Sequence, residues 1–321
     1  IEGDILILGV TPPEKAGVLA AHRITQTVYS SDYAESLSKE AVRRQVTVCC
    51  HLKLDSGMRR IGFLIGEGQD PSDEILAVAA LPGLSFTGIF SHFSSADDTT
   101  PEGQQFTALQ MRRCDELIAA LAEKGLTFPL RHLQNSAGIL NLDRQDELAR
   151  AGLILYGLPV GTLPGRELSL KPVMSIRSTI SMVKTVEPGE PVGYSRTYTT
   201  QEPTRIATVP IGYADGYLRL LSNRASMLVR GCRAPIVGNI CMDQLMLDVS
   251  HIPEAKAGDL VTVVGRDGQE EITFDELAAL AGTISYELVC LVGKRVPRVC
   301  RRGGKVVQVF DYLDYQESSL E

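Results

Sequence analysis

Tyr213 closes a β-branched run. The stretch RIATVPIG climbs to it, and the chain then turns on Asp215-Gly216, so PIGYADGY (210–217) leaves an acid–base phenol at the mouth of a strand. Similar residues recur along the chain. HLKLDSGMRRIG (51–62) sets Lys53, Asp55 and Arg60 around a glycine-containing loop, and SHFSSAD (91–97) carries His92 with Asp97 five residues on. RHLQNSAG (131–138) supplies His132, Asn135 and Ser136, and RAGLILYG (150–157) puts Arg150 ahead of the backbone N–H groups of Gly152 and Leu153. GNICMDQLM (238–246) holds Asn239, Cys241 and Met242, and TISYELVC (283–290) holds Tyr286. Singly, each has an ordinary explanation: a solvated loop, a hydrogen-bonded histidine, a helix N-cap cluster, a core cysteine. Their order and contexts together do not look accidental.

The elements that must position these groups fall into two parts. Over residues 1–160, strand-like runs (DILILGV, QTVYS, VTVCCHLKLD, LSFTGIFSHF, RHLQNSA, GLILYG) alternate with helical stretches such as SDYAESLSKEAVRR and EGQQFTALQMRRCDELIAALAEKG. Near-continuous apolar strands between amphipathic helices imply a parallel sheet covered on both faces, either a (β/α)₈ barrel or a doubly wound sheet. Lys53, Asp55, His92, Asn135 and Ser136 all sit at C-terminal strand ends, where barrel active sites are built. No G-x-G-x-x-G follows any strand, which counts against a dinucleotide fold. Past GTLPGRELSLKP (161–172) the chain is mostly strands with turn signals, interrupted by one expected helix, TFDELAALAG. The expected division is an α/β barrel domain over 1–165 and a mostly β domain over 166–321.

Composition narrows the class. A chain of 321 residues with 44% hydrophobic and 22% charged residues suits a two-domain globular enzyme. A net charge of −7, no tryptophan and no basic block argue against a nucleic-acid surface. The seven cysteines are odd in number and form no C-x-x-C pair with zinc spacing, so no metal site is expected. Reduced thiols in a cytoplasmic compartment are the plain reading, and no run is long and apolar enough to span a bilayer. The chain opens on Ile1, directly into a core strand, and is therefore expected to be preceded by further residues.

HLKLDSGMRRIG, SHFSSAD, QNSAG, RAGLILYG, PIGYADGY, ICMDQ and ISYE, in this order, resemble the alanine racemase family. The resemblance implies pyridoxal 5′-phosphate on a (β/α)₈ barrel followed by a β domain. It also implies upstream units with a Lys-Ala-x-x-Tyr-Gly motif, whose lysine forms the Schiff base with the cofactor. No such motif occurs here, and at about 30 residues per unit roughly two units would precede Ile1.

Racemisation removes a proton from one face of the α-carbon and returns one to the other. By resemblance the two groups are that lysine and Tyr213. The tyrosine hydroxyl is then expected to contact His92, and His92 to contact Arg150. Arg150 would face the pyridine nitrogen and disfavour its protonation, which weakens the ring as an electron sink and restrains side reactions such as transamination. Ser136, the amides of Gly152 and Leu153, and Tyr286 match phosphate ligands. Arg60 and the Met242 amide match the substrate carboxylate site, and Lys53 matches a lysine that is often carbamylated and holds the arginine in place. In the family the tyrosine and the Cys-Met-Asp segment come from the partner subunit, which implies an obligatory homodimer.

One position departs from the family pattern. Where most members carry an arginine two residues before the cysteine, this chain has Asn239. That arginine belongs to an entrance ring, with residues matching Asp97 and His132. Shortening it to asparagine is expected to widen the corridor and to admit serine beside alanine. This resembles the racemase domain of membrane-bound serine/alanine racemases of vancomycin resistance, which supply D-amino acids for peptidoglycan precursors. An N-terminal membrane domain tethering the protein to the inner face of the membrane would follow. The alternative is a housekeeping alanine racemase acting on L-alanine rather than L-serine. A pyridoxal-phosphate decarboxylase would pair the ring nitrogen with a carboxylate, against Arg150. A bare-barrel cofactor carrier would lack the second domain.

Overall fold

The computed structural model describes residues 3–166 and 168–313. The chain divides into two compact units, 1–171 and 172–321. The boundary lies beyond 165/166 because the connecting segment is still bonded to the first unit. The Leu163 amide donates to Asn141 Oδ1 at 2.9 Å, and Arg166 Nη2 to Asp143 Oδ2 at 2.5 Å.

In the first unit, strands β1 (Ile5–Ile7), β2 (Ile24–Val28), β3 (Val48–Asp55), β4 (Phe63–Leu64), β5 (Leu84–Phe90) and β6 (Leu130–His132) alternate with helices α1 (Ala16–Ala21), α2 (Ser31–Arg43), α3 (Ser72–Ala79), α4 (Pro101–Glu123) and α5 (Ser136–Asn141). The sheet order is β1-β2-β3-β5-β6, every pairing is parallel, and β4 adds to β3. Sequential neighbours in one direction make a barrel, since a doubly wound sheet reverses its order at a switch point. The helices follow from local signals. Ser30 and Thr100 cap α2 and α4 by accepting the Tyr33 and Gly103 amides. The buried residues of α4 recur at Thr107, Gln110, Cys114, Leu117 and Leu121, one stripe of a 3.6-residue period, and Gly125 beyond its end takes φ +86°.

β3 alternates strictly. Cys50, Leu52 and Leu54 join the helix-facing core, whereas His51, Lys53 and Asp55 lie on the opposite face and are equally buried. That alternation aims three polar side chains into the barrel interior. The expected strand over GLILYG is instead a 3₁₀ turn, Leu153–Tyr156, entered from Gly152. Only Leu153 is buried in it and Leu155 and Tyr156 are exposed, so the apolar letters do not form a sheet-facing run.

The second unit is antiparallel. Its strands are β7 (Ile176–Thr179), β8 (Met182–Val186), β9 (Pro191–Val192), β10 (Tyr198–Thr199), β11 (Thr204–Val209), β12 (Ser226–Val229), β13 (Cys232–Pro235), β14 (Leu245–Asp248), β15 (Leu260–Asp267), β16 (Glu270–Ile272), β17 (Arg298–Arg302) and β18 (Lys305–Phe310). β14-β11-β8 form one sheet, β13-β12-β15-β16 with β7 a second, and β17-β18 a hairpin. Two helices accompany them, α6 (Phe274–Ala281) and α7 (Ser285–Leu291), where one was expected. Gly282, left-handed at φ +75°, ends α6 and lets the ISYE segment start a second short helix. All seven cysteines are free thiols. Among the described residues no helix is long and apolar enough to cross a membrane.

Candidate active site

Three neighbouring strands of the barrel unit set the first constellation. The parallel register pairs Lys53 with Phe90 and Phe90 with His132, so these side chains share one face. Phe90 stacks on His132 with centroids 4.6 Å apart and planes 13° apart, and Lys53 Nζ lies 5.1 Å from the Phe90 centroid. Two residues back in the register, His51 faces Gly88. A Cβ at Gly88 would fall 2.6 Å from the His51 ring, so glycine is what leaves room for it.

Arg150 reaches this cluster from the loop after α5. Its Nη1 donates to the His132 carbonyl at 2.6 Å and to His132 Nδ1 at 2.5 Å. Its Nη2 donates to the carbonyls of Ser91 at 2.7 Å and Leu133 at 3.0 Å. Arg150 Nε is buried and has no partner. The guanidinium thus has both terminal nitrogens committed and one N–H unmet among the described residues, a feature that calls for an explanation. Both Nη groups are taken up by His132, Ser91 and Leu133, and the charge of Arg150 is felt at His92, the residue expected to contact it. Burial first, then the charges of Arg150, Lys53 and Arg60, lower the His92 pKa to about 4.

His132, expected at an entrance, is fully buried on β6 and wedged between Phe90, Arg150 and His51. Burial, with the Arg150 charge next, lowers its pKa to about 3, so the ring is neutral at pH 7. Asp97 is exposed on the loop after β5. Lys53 is buried, donates to the Leu54 carbonyl at 2.8 Å, and is lowered to about 8 by burial and then by Arg150. Arg60 is exposed on a loop tied by Asp55, whose Oδ1 accepts the Gly57 and Arg59 amides at 3.0 and 2.9 Å.

A donor cluster lies beside Arg150. Asn135 caps α5 by accepting the Gly138 amide at 2.9 Å, which fixes Ser136 as the first helical residue. Ser136 Oγ accepts the Gly152 amide at 2.9 Å and so keeps its own O–H to donate. Leu153 opens the 3₁₀ turn, where its amide has no intrahelical acceptor.

In the β unit, two turns are locked face to face. The Tyr213 amide donates to the Cys241 carbonyl at 3.1 Å and the Ala214 amide to the Met242 carbonyl at 3.0 Å. Gly212 permits this approach: its Cβ would lie 2.3 Å from both carbonyl oxygens. Arg295, unnoticed in the sequence, bridges the turns, with Nε on Asp215 Oδ1 at 2.8 Å and Nη2 on Asp243 Oδ1 at 2.5 Å. Two aspartates beside the motif tyrosine and methionine were the available signal. Tyr213 is 43% exposed, Met242 is exposed, and Tyr286 is 40% exposed on α7. Asn239, expected at an entrance, is buried instead, and its Nδ2 donates to the Tyr194 carbonyl at 2.8 Å. The short amide is used to anchor a loop of the β unit.

Known proteins match both folded units. The model of the alanine racemase N-terminal domain matches residues 1–159, and that of the C-terminal domain residues 173–300. Alanine racemase 1 of Clostridium acetobutylicum is 39% identical over 315 residues, covering 98% of this chain and 80% of its own. The alanine racemase of Desulfovibrio desulfuricans is 44% identical over 296 residues, covering 92% and 77%. The crystal structure of Bacillus anthracis alanine racemase with bound L-Ala-P superposes with a TM-score of 0.88 at 35% identity, over 98% of this chain and 80% of that one. Matches to both domain models, in the order the two folded units require, show that this chain belongs to the alanine racemase family, whose enzymes depend on pyridoxal 5′-phosphate.

Proposed function

We propose that the chain racemises alanine with pyridoxal 5′-phosphate, and that Tyr213 is the acid–base group for one face of the α-carbon. The observation that carries this reading is the buried, unmet Nε–H of Arg150. An unprotonated pyridine nitrogen, a lone pair without a proton, is the acceptor that fits it. The donors beside it on the barrel unit suit the phosphate: the Ser136 hydroxyl and the Leu153 amide, while the Gly152 amide, expected as a third, is taken up by Ser136 Oγ and Tyr286 stands as a ligand by resemblance alone. When bound, the cofactor supplies the electron sink that acidifies the α-C–H bond.

The chain's own groups do the rest. Arg60 and the Met242 amide bind the substrate carboxylate, and Arg150 holds a permanent charge near the ring while neutral His132 and His92 add none. Lys53, lowered to about 8, has an appreciable neutral fraction at pH 7 and is therefore open to carbamylation, which would turn a repelling Lys–Arg pair into an attracting one. Tyr213 takes or returns the proton at its hydroxyl oxygen. The opposite face needs a second group, which the family draws from a Lys-Ala-x-x-Tyr-Gly motif that these 321 residues do not contain. In the same reading the tyrosine and Met242 turns serve the barrel of a second copy, in a homodimer with shared sites.

Serine use, and with it a role in glycopeptide resistance, rested on Asn239 widening an entrance. With Asn239 buried against Tyr194, and the matched curated relatives named alanine racemases, alanine is the substrate we favour. The test is kcat/KM for L-alanine and L-serine on the full-length protein with pyridoxal phosphate. Alanine turnover at least about tenfold above serine is expected. Comparable serine turnover would restore the serine reading, and turnover of neither would sink the racemase assignment.

A further inference from the structure

We propose that His51 is a positioning residue for Arg150, acting through the His132 imidazole. His51 Nδ1 lies 2.8 Å from His132 Nε2, and His132 Nδ1 lies 2.5 Å from Arg150 Nη1. The direction of this chain is fixed by its first member. A guanidinium has only donors, so His132 Nδ1 must accept. A neutral imidazole has one N–H, so that proton sits on His132 Nε2 and is donated to His51 Nδ1. His51 in turn carries its proton on Nε2. Burial lowers both histidines below their ordinary range, in keeping with neutral rings.

The two-histidine chain has a mechanical consequence. Phe90 fixes the His132 plane by stacking, Arg150 selects its tautomer, and His51 supplies the acceptor that this tautomer needs at Nε2. With Nδ1 held as an acceptor, Arg150 Nη1 keeps its partner, and Nε is left as the buried donor without one. Without the acceptor at position 51, a buried N–H on His132 would go unmet. The ring could then take the other tautomer, which sets an N–H against the guanidinium N–H. Gly88 supports the arrangement by giving the His51 ring its space. That Nε serves a cofactor rests on the racemase reading, whereas the relay itself does not.

The test uses the ligand-free full-length protein with ¹⁵N-labelled histidine. The His51 and His132 signals are assigned by their disappearance in single substitutions at each position. The proposal expects His132 with its proton on Nε2 and a nitrogen–nitrogen coupling across its hydrogen bond to His51. In His51→Phe the coupling vanishes, His132 becomes a mixture of tautomers, and kcat for alanine falls about tenfold with KM unchanged, the worth of one buried hydrogen bond. His51→Asn, which returns an acceptor oxygen near the Nδ1 position, keeps the His132 tautomer and most of kcat. It also serves as the deciding variant should His51→Phe fail to fold. A His132 proton on Nδ1 in the unsubstituted protein, an unchanged His132 tautomer or kcat in His51→Phe, or a switched tautomer in His51→Asn would overturn the proposal. If the protein fails to racemise alanine, the histidine spectra still test the relay, and only the racemase reading falls.

Discussion

Arg150 shows what single residues contribute here. Four acceptors hold its two terminal nitrogens, and one buried donor is left over. The clamp requires His132 to stay neutral, and this has a measurable cost in acid. An unfolded histidine has a pKa of about 6.5, whereas burial and then the Arg150 charge lower that of folded His132 to about 3. Between these values the unfolded chain binds the extra proton, so stability falls as pH drops through that window. One such side chain contributes a slope of up to about 1.4 kcal/mol per pH unit. Urea unfolding at pH 7, 6 and 5 should show the loss. His132→Asn, which keeps an acceptor but cannot titrate there, should show a shallower slope, and equal slopes would contradict the assignment. The residue types at this site were legible from the sequence, and their partners were not. His132 read as part of a helix N-cap cluster or, by resemblance, as an entrance residue, and only the β5–β6 register reveals that it is buried under Phe90.

At the scale of elements, the locked pair of turns around Tyr213 and Met242 is the clearest device. Backbone bonds, Gly212 and the Arg295 bridge hold the tyrosine segment and the methionine segment as one body. Gly212→Ala should force those carbonyls apart, costing about 1–3 kcal/mol as overpacking does. The expected result is a lower denaturation midpoint together with a fall in kcat/KM larger than substitutions elsewhere in the β unit produce. An unchanged midpoint and kcat/KM would show that the turns do not depend on this contact. Periodicity carried most of the element reading: the helical pattern of α4 and the strand run of β3 were visible, and both elements are observed. It failed at GLILYG, whose apolar letters spell a strand while its backbone turns at Gly152 to present amides. It also missed α7, too short for a helical period to emerge. Arg295 was out of reach for another reason, since its partners Asp215 and Asp243 are far away in sequence and meet it only after folding.

At the scale of the molecule, the residues proposed for the chemistry are divided between two folded units. The barrel unit carries Arg150, His132, Lys53, Arg60 and the amide cluster, and the β unit carries Tyr213, Met242 and Tyr286. The division was legible because hydrophobic patterning changes from alternating strands and helices to strands alone. The partner expected to receive the tyrosine turn was not, because assembly is not written in local pattern. The central claim is that Tyr213 moves the proton on one face only. The most direct measurement is solvent deuterium exchange at the α-carbon of L-alanine and of D-alanine, followed separately in Tyr213→Phe with pyridoxal phosphate bound. The account predicts that exchange from one enantiomer falls by about 10²–10⁴-fold, the usual worth of a general base, that racemisation falls with it, and that exchange from the other enantiomer persists. Exchange from both enantiomers at unchanged rates, with racemisation intact, would contradict it.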